Sequence, residues 1–182
     1  MPGTLTTLRA EHRAIACLLH ALEERVARAR RRAELPDFAL LRAMLFWMAE
    51  FPERQHHRKE SAALFPRLRA RAPLARHVLD RLEEDHLRGE ARVHQLEHAL
   101  TAFELLGEPR RAPFDTMLAE YLDFQRRHMV TEETQVFPLA ERVLTSADWQ
   151  DIAGELGDGL DTRGDACGVL FDQLRPTFGA TG

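Results

Sequence analysis

The sequence predicts an all-α protein: an antiparallel up-down four-helix bundle with short C-terminal helices. Three observations carry that expectation. Apolar residues recur at steps of three and four along four stretches of about 30 residues each. Glycine and proline are sparse and gather at the corners between those stretches. The corners themselves are short, which places consecutive helices side by side and antiparallel. At 182 residues, 45% hydrophobic and 30% charged, the chain has the balance of one ordinary globular domain.

The first stretch, from Thr4 to about Arg32, carries Leu5, Leu8, His12, Ile15, Leu19, Leu22 and Val26 on one seam, and Leu35-Pro36-Asp37 ends it. The second, from Phe38 to about Arg71, presents Leu41, Met44, Met48, His56, Glu60 and Ala63. Pro52 is expected to kink it, and Pro66 to bend it again or fray its last turns. The third, Leu74 to Leu106, shows Val78, Leu82, His86, Gly89, Val93, Leu96, Leu100 and Phe103, and stops at Gly107-Glu108-Pro109. Pro113 suits the first turn of the fourth, whose face reads Met117, Tyr121, Phe124, His128, Glu132, Leu139 and Val143. Ser146 reads as the N-cap of a short fifth helix with Trp149 and Ile152. A glycine-rich connection and a last short helix at Val169–Leu174 follow. Residues 4–145 are thus expected to form the bundle, and 146–182 a helical appendix.

Composition excludes several classes. No apolar run approaches the roughly 20 residues that span a bilayer, and the first residues lack a secretory pattern. A formal charge of −4 disfavours a dedicated nucleic-acid binder. Cys17 and Cys167 form no C-x-x-C pair and no multi-bridge framework, so a reducing cytoplasm is the expected compartment.

The nine histidines carry the chemistry. His12, His56, His86 and His128 each stand where a bundle seam would otherwise place a leucine, one per helix. A single such histidine is usually a core residue with a satisfied ring; four at one depth are a different matter. At ~1.5 Å per residue, His12 and His56 lie roughly 30 and 27 Å from the corner they share, and the other pairs agree similarly. His56-x-x-x-Glu60 and His128-x-x-x-Glu132 add a carboxylate one turn along on the same face. Carboxylates buried there would be costly without a cation. Four imidazoles and two carboxylates form a donor set for a pair of transition-metal ions, with nitrogen and hard oxygen suiting iron or manganese.

The halves also repeat. His56-x-x-x-Glu60 followed by Phe65-Pro66 is matched 72 positions later by His128-x-x-x-Glu132 and Phe137-Pro138, and His12 and His86 are 74 apart. This doubled motif, each copy preceded by a lone helix-borne histidine, resembles the hemerythrin HHE cation-binding family. The resemblance implies that His12, His56, Glu60, His86, His128 and Glu132 ligate two iron ions in a non-haem, oxo- or hydroxo-bridged centre. It further implies binding or reduction of O2, NO or H2O2 in sensing or stress response, with an electron donor or signalling protein as partner. The alternative it implies is an iron store or donor for iron–sulfur cluster repair. The oxygen-carrying members have a fifth histidine ligand and an aspartate for the second glutamate. The symmetric four-histidine, two-glutamate pattern is more similar to the bacterial di-iron proteins of nitric-oxide stress. Such symmetry implies an exchangeable position on each ion and room for two NO per pair.

Other residues have plainer readings. Glu53-x-x-His56 and Glu83-x-x-His86 match the signature of ferritin-like di-iron bundles, but Gln125 breaks that pattern in the fourth helix. His57 is expected about 100° off the seam, behind the ligands or at the surface, so that His57→Ala would leave metal content nearly intact. His20, His77, His94 and His98 are expected to face solvent. Tyr121 is expected to be a core aromatic whose hydroxyl finds a partner. Glu11 and Asp85, beside ligand histidines in sequence, point away from them, so support for each ring is expected from across the bundle.

Overall fold

The computed structural model describes residues 2–156, among which every regular element is helical. Four long helices form the bundle: Pro2–Arg31, then 38–71, then Arg76–Leu106, then 111–143. A fifth, Ser146–Leu156, follows. The expected helix at Val169–Leu174 lies outside the described residues. No described helix is long and apolar enough to cross a membrane.

Local chemistry sets the ends. Asp37 caps the second helix by accepting from the Leu40 N–H at 2.9 Å. Gly107 closes the third at φ 73°, where a side chain would be strained. The fifth helix is capped by Thr145, not Ser146. The Asp148 carboxylate accepts from the Thr145 N–H at 2.8 Å, and the Thr145 hydroxyl accepts from the Asp148 N–H at 3.2 Å, a reciprocal box.

The prolines neither break nor fray the second helix. It continues through both, with wide turns at Ala49–His56 and Glu60–Leu64. The His57 N–H bonds to the Pro52 carbonyl and the Phe65 N–H to the Glu60 carbonyl, each five residues back. In the fourth helix the Phe137 N–H likewise reaches the Glu132 carbonyl. A proline ring crowds the carbonyl four residues before it and offers no N–H. One extra residue in the turn relieves that crowding and keeps the helix running. Such wide turns favour functional sites, and here they flank His56, Glu60 and Glu132.

Two apolar clusters fill the bundle. One gathers Leu19, Leu22, Met44, Leu96, Phe103 and Phe114 towards one end. The other gathers Leu5, Leu8, Leu64, Leu79, Val136 and Phe137 towards the opposite end. Starts of the first and third helices thus meet ends of the second and fourth, the antiparallel arrangement that the short corners require. The polar layer lies between the clusters. Trp149 and Ile152 of the fifth helix complete the second cluster, Ile152 with no exposed surface. Ile152→Ala is therefore expected to cost about 3 kcal/mol, or roughly 6–12 °C in Tm. Thermal unfolding measures it; a loss within 0.5 kcal/mol would mean that this helix contributes nothing to the core.

Candidate metal centre

Each bundle helix brings one histidine to the middle layer, and the second and fourth add Glu60 and Glu132. All six predicted residues meet there, with side-chain exposures between 0% and 8%. The four imidazoles turn Nε2 inward. His12 Nε2 lies 3.3 Å from Glu132 Oε2 and 3.9 Å from Glu60 Oε1, and His56 Nε2 lies 3.5 Å from Glu60 Oε1. On the other side, His86 Nε2 is 3.7 Å from Glu60 Oε2 and 3.8 Å from Glu132 Oε1. His128 Nε2 is 3.3 Å from Glu132 Oε1. Each carboxylate therefore turns one oxygen to the His12/His56 pair and the other to the His86/His128 pair. So disposed, each carboxylate could span two ions.

The layer is unbalanced as a purely protein assembly. Both oxygens of Glu60, both of Glu132, and Nε2 of His12 and His56 are buried with no hydrogen-bond partner. Burial, reinforced by the charge of Glu132, raises the Glu60 carboxyl well above the ordinary range. Burial also lowers the His56 imidazole to about 4, which keeps it neutral near pH 7, the form that binds metal. Orphaned polar atoms at this density are costly. Cations bound between the carboxylates would satisfy them all, so the residues present fit a pair of metal ions. Two sets of donor atoms lie close enough to share an ion: His12, His56, Glu60 and Glu132, and Glu60, His86, His128 and Glu132.

The outer edges of the rings are held from across the bundle. His56 Nδ1 meets Glu11 at 2.8 Å, His12 Nδ1 meets Glu133 at 3.0 Å, and His86 Nδ1 meets the Ser61 hydroxyl at 2.8 Å. His128 Nδ1 stands 3.8 Å from Asp85. Burial works to raise the Glu11 carboxyl, but bonds from His56 and Lys59 outweigh it and bring Glu11 down to about 2. These contacts fix ring orientation and make the imidazoles better donors.

Of the two positions expected for His57, behind the inward histidines or at the surface, the structure excludes the surface. His57 is only 3% exposed, and its ring stacks on His86 with centroids 4.2 Å apart and planes 9° from parallel. The wide turn at Ala49–His56 alters the angle between successive side chains, so both adjacent rings flank the seam. Glu53 was missed: its side chain is fully buried and its Oε2 lies 3.0 Å from His57 Nδ1. Tyr121 and Gln125 both donate to Glu53 Oε1, at 3.3 and 2.6 Å. Burial pushes the Glu53 carboxyl up to about 8. The readable signal was Gly89, a glycine within a helical seam, where an added Cβ would stand 2.4 Å from Glu53 Oε2. Glu83, by contrast, pairs with Arg69 at the surface, so the second Glu-x-x-His match lies outside the layer. His20, His77, His94 and His98 are exposed, as their register predicts.

Glu11→Ala should weaken metal binding about 10- to 100-fold while leaving the six inward donors in place. Competition against a chelator measures this; an unchanged affinity would mean that His56 needs no outer carboxylate.

Searches of curated proteins and of solved structures found no match to this chain. The family model for the hemerythrin HHE cation binding domain matches residues 3–140. That span contains nearly all of the four helices and every residue of the buried layer, and the chain belongs to the hemerythrin HHE cation-binding family.

Proposed function

We propose that the chain holds two iron ions between Glu60 and Glu132 and uses them to bind or reduce a small ligand such as O2, NO or peroxide. The observation that carries this reading is the split of each carboxylate, one oxygen towards each histidine pair. His12, His56, His86 and His128 would supply the nitrogen donors. Mixed imidazole and carboxylate donors suit iron. Iron held there would supply one-electron exchange and a position for a diatomic ligand.

The protein's own contribution is orientation, charge and dryness. The Nδ1 contacts of Glu11, Glu133, Ser61 and Asp85 hold the inward nitrogens in register. The two glutamates offset much of the cationic charge, and the apolar clusters on either side keep bulk water away. A surface cavity of about 440 Å3, lined by Arg81, Arg88, Arg92, Arg127 and Phe124, reaches Asp85 and His128 and offers a path inward for a small molecule. Deep burial of five of the six donors, all but the partly exposed His86, supports retention of the metal over ready release to an acceptor. Turnover would need an external electron donor, and sensing a protein that reads the liganded state.

Anaerobic loading should give about two iron ions per chain, and Glu60→Ala or Glu132→Ala should abolish the coupled pair and its oxo-bridge absorption. Saturation at one ion, or an unchanged spectrum in either variant, would contradict the dinuclear reading. Stopped-flow with the reduced protein then separates the roles. A stable ligand complex means binding or sensing, catalytic consumption means an enzyme, and iron transfer to an apo-acceptor means a donor.

A further inference from the structure

We propose that His57 is a fifth nitrogen ligand, completing the ion held by His86 and His128 and making the centre asymmetric. The inference rests on the dinuclear reading above and assigns a residue that the doubled motif does not contain.

Three observations converge on His57. A coordinating atom from each of His57, His86 and His128 falls within 4.8 Å of the others, close enough to share one ion. The His57 ring stacks on His86 and meets His128 edge-on with centroids 5.0 Å apart, so it lies among those rings and not behind them. Its outer edge also repeats the arrangement of the other four. Glu11, Glu133, Ser61 and Asp85 each face the Nδ1 of one histidine, and Glu53 faces the Nδ1 of His57 at 3.0 Å. With the Glu53 carboxyl against Nδ1, Nε2 is the ring nitrogen left to coordinate.

The surroundings of Glu53 are built to keep it there. Gln125 and Tyr121 engage Oε1, which leaves Oε2 for His57. Gly89 on the facing helix leaves the space that this carboxylate occupies. A buried carboxylate fixed by two donors and a missing side chain, for no purpose but to hold an idle imidazole, would be an expensive ornament. As the backing of a ligand it parallels the rest of the site.

Ligand counting then replaces the symmetric expectation. The His12/His56 ion keeps two nitrogens, two carboxylate oxygens and an exchangeable position. The His86/His128 ion gains a third nitrogen, which closes its shell.

Anaerobic iron loading of wild type, His57→Ala and Gly89→Ala tests the assignment through chelator competition, iron-edge X-ray absorption and NO titration. His57→Ala should lose affinity for one of the two ions by more than the roughly 100-fold that an outer contact is worth. It should show fewer imidazoles per iron, and added imidazole should restore them. Gly89→Ala keeps His57 but pushes Glu53 aside, and should weaken the same ion about 10-fold. Wild type should take up one NO per pair, and His57→Ala with both ions loaded should take up two. A folded His57→Ala protein with both affinities, imidazole count and NO stoichiometry unchanged would overturn the assignment and leave the dinuclear reading standing. A wild-type protein that binds no pair of ions would overturn both.

Discussion

Glu60 and Glu132 face each other at the centre of the bundle with no exposed surface and no hydrogen bond to either pair of oxygens. Two carboxylates cannot share a low-dielectric layer as anions unless positive charge comes between them. That constraint orders the rest of the structure. It accounts for four imidazoles turned inward in place of leucines, for outer carboxylates that hold them, and for apolar clusters confined to the two ends. The wide proline turns beside the histidine and glutamate stretches belong to the same arrangement, since they let each helix run on past a Phe-Pro step without breaking the seam.

Duplication explains how such a layer arises from simple parts. The repeat extends beyond the inward donors to their supports. Glu11 and Asp85 are 74 positions apart and back His56 and His128, while Ser61 and Glu133 are 72 apart and back His86 and His12. Glu53 and Gln125 are also 72 apart, and they meet at 2.6 Å. The halves diverge at the next pair: His57 corresponds to Met129, so one half of the duplicated frame carries an extra imidazole where the other carries an apolar side chain.

The helices and the six inward donors were legible in the sequence because both depend on local periodicity. A bundle seam states its register every three or four residues, and a histidine within it is an anomaly that the repeat then doubles. What escaped were features set by departures from ideal helix geometry. His57 looked misdirected because an α-helix turns about 100° per residue, whereas the stretch around Pro52 turns less. Glu53 matched another pattern, and only the facing helix, with Gly89, shows why it is buried. Thr145 and Ser146 are both competent caps. The choice between them depends on Asp148, which completes the box with Thr145.

The buried Glu60 carboxyl, facing Glu132, is a liability for the bare fold and becomes an asset only with metal. Thermal unfolding of wild type and Glu60→Gln at neutral pH, metal-free and iron-loaded, tests it most directly. Without metal, the variant should unfold several degrees above wild type, since it removes a buried carboxyl whose charge the fold disfavours. With iron the order should reverse, because wild type gains the binding energy and the variant loses a bridge. A metal-free wild type more stable than the variant, with no gain on adding iron, would contradict the account.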